Sequence, residues 1–168
     1  MSKYDSEIKL PDEYFRMVGI IAAQWEYIEF QLEWAVAEIG GHKVSKVGLL
    51  TTNLGYQAKH DLILAHGRPL KAQSPDEWSA LTTVMNDVQK AYLLRNTFVH
   101  AKWIAGESDA ELPKRSIVRT RGGKLIMDDF PTELSELVEA ATKIQAAGDG
   151  FLRLMQTYDI MSGDPDAV

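Results

Sequence analysis

The chain has 168 residues, no cysteine and a formal net charge of −6, so disulfides, thiolate zinc sites and cysteine nucleophiles are excluded together, and a general nucleic-acid coat, which needs clustered Lys and Arg, is disfavoured. A hydrophobic content of 45% is that of an ordinary globular protein, and the length suits one domain with a sizeable core. The start, Met1 to Glu7, carries no apolar signal-type segment, and no later stretch offers the ~18 uncharged apolar residues of a membrane span, so a cytoplasmic protein without membrane contact is expected.

After a polar lead, Pro11-Asp12-Glu13 supplies the proline and acids of a first helical turn. Phe15, Val18, Ile21, Ala22, Trp25, Ile28, Leu32, Ala35, Val36 and Ile39 recur at helical spacing, which predicts one long amphipathic helix ending at Gly40-Gly41, with Glu26, Glu33 and Glu38 as a solvated face. Ser45 suits the cap of a short helix to Asn53, and Gly55 separates it from a further piece, Tyr56 to His66, closed by Gly67-Arg68-Pro69. Lys59, His60 and His66 in this region read as surface residues, with the alternative that one of the histidines lines the same groove as His100.

Ser74-Pro75-Asp76-Glu77 has the composition of a full capping box and sets a helix start at Pro75. That helix is expected to run to about His100, with Trp78, Leu81, Val84, Met85, Val88, Ala91 and Tyr92 at core spacing. The period then changes. Lys102–Ala105, Arg115–Arg121 and Lys124–Met127 are β-type runs, the last two joined by Gly122-Gly123, so a β-hairpin or three-stranded insertion is predicted at about residues 101–128. Pro131 and Glu133 open a final helix in which Leu134, Leu137, Val138, Ala141, Ile144, Gly148, Leu152 and Met155 keep a helical period to about Ile160; the period survives Gly148 and Gly150, and a frayed tail follows at Gly163–Asp166. The fold class is therefore mainly α, an antiparallel bundle of four to five helices with a small β insertion, in a single domain.

The chemistry concentrates at Leu94-Arg95-Asn96-Thr97-Phe98-Val99-His100. Arg95 shares nearly one helix face with Val84, Val88 and Ala91, where a charge that cannot lose its proton needs a carboxylate, a phosphate or a subunit boundary. Asn96 and His100 are i,i+4 neighbours, and a long guanidinium can reach round to them. His100 is suited to proton transfer near neutral pH, while Arg95 is suited to charge developing on a phosphate. The structural alternative pairs Arg95 with a carboxylate of the first helix and makes His100 a helix cap that complements the dipole. Lys114, Arg115, Arg119, Arg121 and Lys124 form a basic run without an acid, readable as an RNA-contacting patch or as edge strands protected by charge. The sequence has no Glu-x-x-His pair, His-Glu-x-x-His motif, nucleophile elbow or glycine-rich phosphate loop, so neither a metal nor a cofactor is expected.

A long helix, a broken helical middle and a helix ending in Arg95-Asn96-x-x-x-His100 before a last helix together resemble the HEPN superfamily of four-helix proteins. Arg95 and His100 fall on its Arg-x(4–6)-His motif and Asn96 on the polar residue that commonly follows the arginine; the basic hairpin is an addition to the minimal bundle. The resemblance implies a metal-independent endoribonuclease, of toxin–antitoxin or defence type, with Arg95, Asn96 and His100 catalytic, RNA as substrate, and an antitoxin or regulatory protein as a further partner. It equally admits a non-enzymatic module that binds a nucleotide, RNA or a protein. A homodimer is expected, since a two-fold contact between motif helices would let a phosphate neutralise two copies of Arg95, with Tyr92 and Phe98 flanking the groove.

Overall fold

A computed structural model describes residues 10–40, 51, 54–106, 111–122 and 124–157. The helix expected from Ser45 to Asn53, Thr51 apart, and the tail beyond Thr157 lie outside them.

The first helix, α1 (Asp12–Ile39), opens on Pro11, whose carbonyl accepts the Tyr14 N–H at 2.9 Å, with Asp12 and Glu13 at the positive end of the dipole. Its buried stripe is Tyr14, Met17, Ile21, Trp25, Ile28, Leu32 and Ala35. Phe15, expected in that stripe, is instead exposed, because it is turned about 100° from Tyr14 on a helix of 3.6 residues per turn. After α1 come α2 (Tyr56–Gly67), the short α3 (Leu70–Gln73) and α4 (Pro75–Val99). Pro75 does start α4, but Ser74 makes no side-chain capping bond. The reciprocal bond forms elsewhere: ahead of α5 (Leu134–Thr157), the Glu133 N–H donates to the Glu136 carboxylate at 3.0 Å.

Between α4 and α5 stands an antiparallel sheet of order β1-β2-β3, formed by β1 (Lys102–Ile104), β2 (Lys114–Arg121) and β3 (Lys124–Pro131). Gly122 has φ +58°, the left-handed value that a tight hairpin turn needs and glycine adopts without strain. β3 runs beyond the predicted boundary. Asp128 and Asp129, poor strand formers by type, are held in register opposite Ile117 and Ser116, and the Ser116 hydroxyl donates to the Asp129 carboxylate. Pro131 thus closes a strand rather than opening a helix.

The helix directions follow from who meets whom. The Tyr14 hydroxyl donates to the Thr132 carbonyl at 3.0 Å, Gln24 meets Gln145, and Ile28 meets Gly148, so α1 and α5 advance together. Tyr56 packs on Trp25, and Lys59 on Glu29 and Glu33, so α2 also runs parallel to α1. Tyr92 packs on Trp25 while Trp103, beyond the end of α4, packs on Tyr14, which makes α4 antiparallel to α1. The expected antiparallel packing therefore holds for α4 alone. The core between these helices includes Trp25, Ile28, Leu32, Met85, Val88, Leu137, Ile144 and Phe151. Each large apolar side chain fully buried there contributes about 1.5–3 kcal/mol. Gly148 is the close-packed point of α5, since a Cβ there would lie 3.2 Å from Ile28 Cγ1, whereas a Cβ at Gly150 meets nothing.

Lys59, expected at the surface, is 3% exposed. Its Nζ bonds Glu29 at 2.7 Å and Glu33 at 2.8 Å, so Glu33 is a tether to α2 rather than part of a solvated face. Burial works against the lysine charge, but the hydrogen bonds and charges of Glu29 and Glu33 together outweigh it and hold the pKa above the ordinary 10.5. Its contribution to stability is thus complete below that value and fades as pH rises through the higher folded-state value. Replacing Lys59 by Ala is expected to lower the unfolding free energy by about 1–3 kcal/mol, less than the ~3–5 kcal/mol of a fully buried pair because both carboxylates keep some water. Urea unfolding at neutral pH measures this.

Candidate functional site

Arg95 and Asn96 lie on the last two turns of α4 and His100 directly at its end, so that helix alone brings them together. Arg95 Nη1 donates to Asn96 Oδ1 at 3.1 Å and also meets His100 Nε2. Arginine carries donors only, so in the second contact Nε2 is the accepting partner. Arg95 is half-buried and His100 exposed. Among the described residues Arg95 has no carboxylate partner, and its Nε is buried without a hydrogen-bond acceptor. The carboxylate of α1 that would have satisfied the structural alternative is absent from this set. Asn96 acts on the arginine; no bond joins it to His100, although they are one turn apart.

His100 is the C-cap of α4, with φ −95° and ψ 1°. The end of α4 is closed by Trp103, whose indole N–H donates to the Phe98 carbonyl at 3.0 Å and so satisfies one of the last-turn acceptors. The same indole meets the Tyr14 ring edge-on at 6.1 Å. On the other side of the motif turn, the Arg115 guanidinium lies 5.2 Å from the Phe98 ring centroid and 5.3 Å from that of Phe130. Its Nε donates to Thr132 Oγ1 at 3.2 Å, and Glu136 stands 4.0 Å from Nη2.

This arrangement sorts the basic run. Arg115 reaches the motif turn but is turned inward, a tie between sheet and helix rather than an outward phosphate contact. Arg119 and Arg121 lie on β2 at roughly 13 and 20 Å beyond Arg115, at about 3.3 Å per residue. Lys114 is half-buried opposite Pro131, and Lys124 is exposed at the hairpin end. The structure therefore gathers Arg95, Asn96 and His100 at one place and strings the remaining cations along a ribbon. Phe98 is buried, and Tyr92 stacks on Tyr56 at 4.3 Å, so both residues expected to flank a dimer groove are engaged inside the chain.

The histidines of α2 stand apart from this turn. His60 is buried beside Tyr56, with Nδ1 against Asp61 and Nε2 without a partner. Tyr56 donates to Gln89 at 3.0 Å, and burial pushes its phenol pKa upward. His66 lines a cleft of about 540 Å³ between Ile39, Gly67, Leu81 and Leu154. Leu81 is about 21 Å along α4 from Arg95, at 1.5 Å per residue, so this cleft belongs to the opposite end. Among the described residues no group of three His, Asp or Glu side chains is placed to hold a metal ion, and no helix is long and apolar enough to cross a membrane.

No protein-family model matches the chain, and no solved structure shows a significant match to it. The functional argument accordingly rests on the motif turn and its surroundings.

Arg115→Ala is expected to cost about 1–3 kcal/mol, the combined loss of the cation–π attraction and one hydrogen bond. Urea unfolding followed by tryptophan fluorescence reports it, with Trp103 as the local probe.

Proposed function

We propose that the chain is an HEPN-like ribonuclease that cleaves RNA in the cytoplasm without a metal or cofactor. One observation carries the reading: an arginine without a carboxylate partner among the described residues reaches both Asn96 and an exposed histidine through Nη1, while its Nε is left unsatisfied. A phosphate entering this turn offers Arg95 the anion it lacks. As the guanidinium turns to the phosphate, the Nε2 lone pair is released beside the ribose.

In the proposed reaction His100 Nε2 takes the proton of the ribose 2′-hydroxyl while that oxygen bonds to phosphorus. The phosphorus–O5′ bond breaks, and the proton passes to the leaving 5′-oxygen. Arg95 stabilises the charge on the phosphorane-like transition state, and Asn96 holds Arg95 in line. Lys114, Arg119, Arg121 and Lys124 extend an electrostatic track for the strand, and the working unit is a homodimer in which the two motif turns share one groove. A toxin–antitoxin or defence setting, with an antitoxin or regulatory protein as partner, follows from the same resemblance.

Labelled RNA incubated with the protein in EDTA is expected to yield products ending in a 2′,3′-cyclic phosphate, with Arg95→Ala and His100→Ala each lowering the rate by about 10²–10⁴. Cleavage that requires added magnesium, or that survives both substitutions, rejects the mechanism. RNA binding without cleavage selects the non-enzymatic module instead.

Replacing Arg119 and Arg121 together by Gln is expected to flatten the salt dependence of RNA binding by about 0.7 in the log–log slope for each phosphate no longer neutralised. A filter-binding series across salt concentrations reads the slope, and an unchanged one returns these cations to edge protection.

A further inference from the structure

The cleft at the end of the bundle away from the motif turn is walled by Ile39, Ile63, Leu81 and Leu154, one apolar side chain from each of α1, α2, α4 and α5, and Leu70 of the short α3 adds a fifth. Its volume of about 540 Å³ is that of a site for one small organic molecule, whose apolar body fills such a space while a few polar groups at the wall fix its orientation. The size and the four-helix wall favour a small ligand over an extended chain.

The charged groups of this wall have one sign. Among its described residues Glu38 and Glu77 are the carboxylates, His66 is the other titratable group, and there is no Lys or Arg. Glu38 is half-buried in the last turn of α1, where the helix dipole is negative, and that turn has no basic residue. Its Oε1 accepts the Trp34 indole N–H at 3.3 Å, which leaves Oε2 for a further donor. Glu77 is half-buried in the first turn of α4, and among the described residues its side chain makes neither a hydrogen bond nor an ion pair. Arg68 and Lys71 are exposed beside Pro69 and Leu70, and neither is paired with these acids. Two carboxylates drawn partly out of water against apolar side chains, one of them at the negative end of a helix, make a place where a cation is favoured.

We propose that this cleft binds a small organic cation, a primary amine on an apolar or aromatic body. The body lies against Ile39, Ile63, Leu81 and Leu154, and the ammonium is taken by Glu77 and by the free oxygen of Glu38. An ammonium carries three donors and no acceptor, so one group can serve both carboxylates. An anionic ligand of the same shape meets repulsion from both. The site lies at the opposite end of α4 from Arg95 and stands independently of the ribonuclease reading.

Tryptamine and indole-3-propionate carry the same ring and opposite charges at neutral pH, which makes them a matched pair of probes. In titration calorimetry of the full chain, tryptamine is expected to bind at least about tenfold more tightly, the worth of one hydrogen bond between charged groups. Amide NMR shifts caused by tryptamine are expected to centre on Ile63, Leu81 and Leu154. Glu77→Gln and Glu38→Gln are each expected to weaken tryptamine by about tenfold. Both variants keep the circular dichroism of the parent chain, because each side chain is only half-buried. Glu26→Gln, on the exposed side of α1, leaves the affinity unchanged and so separates the site from the general pull of an acidic protein on a cation. Equal affinity for the two probes, shifts that centre elsewhere, or an equal loss in Glu26→Gln overturns the site. Binding of neither probe assigns the cleft to the chain's own packing and overturns it as well.

Discussion

The geometry of the motif turn depends on how the end of α4 is held. A helix leaves its last carbonyls without partners, and a frayed end would let Arg95 and His100 drift apart. Here the Trp103 indole closes the Phe98 carbonyl from one side, while Arg115 presses on the Phe98 ring from the other. Both residues come from the sheet, and the sheet is in turn held to α1 through Tyr14, which meets Trp103 and the Thr132 carbonyl. The β insertion is therefore a brace for the end of α4 as well as a carrier of charge. Removing any one of these supports loosens the turn on which the others converge.

The division of polar groups follows the same logic. Lys59 is buried and matched by two carboxylates, which fixes α2 against α1 and neutralises that cation within the chain. Arg115 is turned inward between rings and a hydroxyl. Arg95 differs from both in being half-buried with Nε unsatisfied and no acid beside it among the described residues. Leaving a buried donor unpaired costs free energy of about 1–3 kcal/mol, and a site that binds an anion recovers that cost when the anion arrives. Of these three shielded cations, two are satisfied within the chain and Arg95 alone keeps a buried donor without an acceptor.

What can be read from the sequence is what local geometry decides. Pro75 marks the start of α4 and Gly122 the hairpin, and the spacing of Arg95 and His100 within one helix is enough to bring their tips together. Contacts between elements are less legible. Lys59 has the look of a surface residue because its acids lie 26 and 30 positions away, and nothing local announces which helix will lie beside it. Arg115 is indistinguishable by type from the other cations of its strand, although pairing with Trp103 and Phe130 sets it apart. Asp128 and Asp129 hide the second half of β3, since strand preference by residue type is weaker than cross-strand pairing. The direction of α1 relative to α5 is open for the same reason: amphipathic periodicity shows which face is buried and says nothing of which way the neighbour runs.

The close approach of Gly148 to Ile28 bears on motion as well as packing. Where the bare backbone of α5 at Gly148 rests on the Ile28 side chain, neither helix can slide without opening the core, so the amide protons of α1 and α5 around that point are expected to exchange with solvent only when the whole domain opens. The ribbon beyond β1 has no such restraint and exchanges through local openings. The motif turn sits at the boundary between these two regimes, anchored to a slow helical frame and adjoining a fast arm. An arm of that kind can change position while Arg95 and His100 keep theirs.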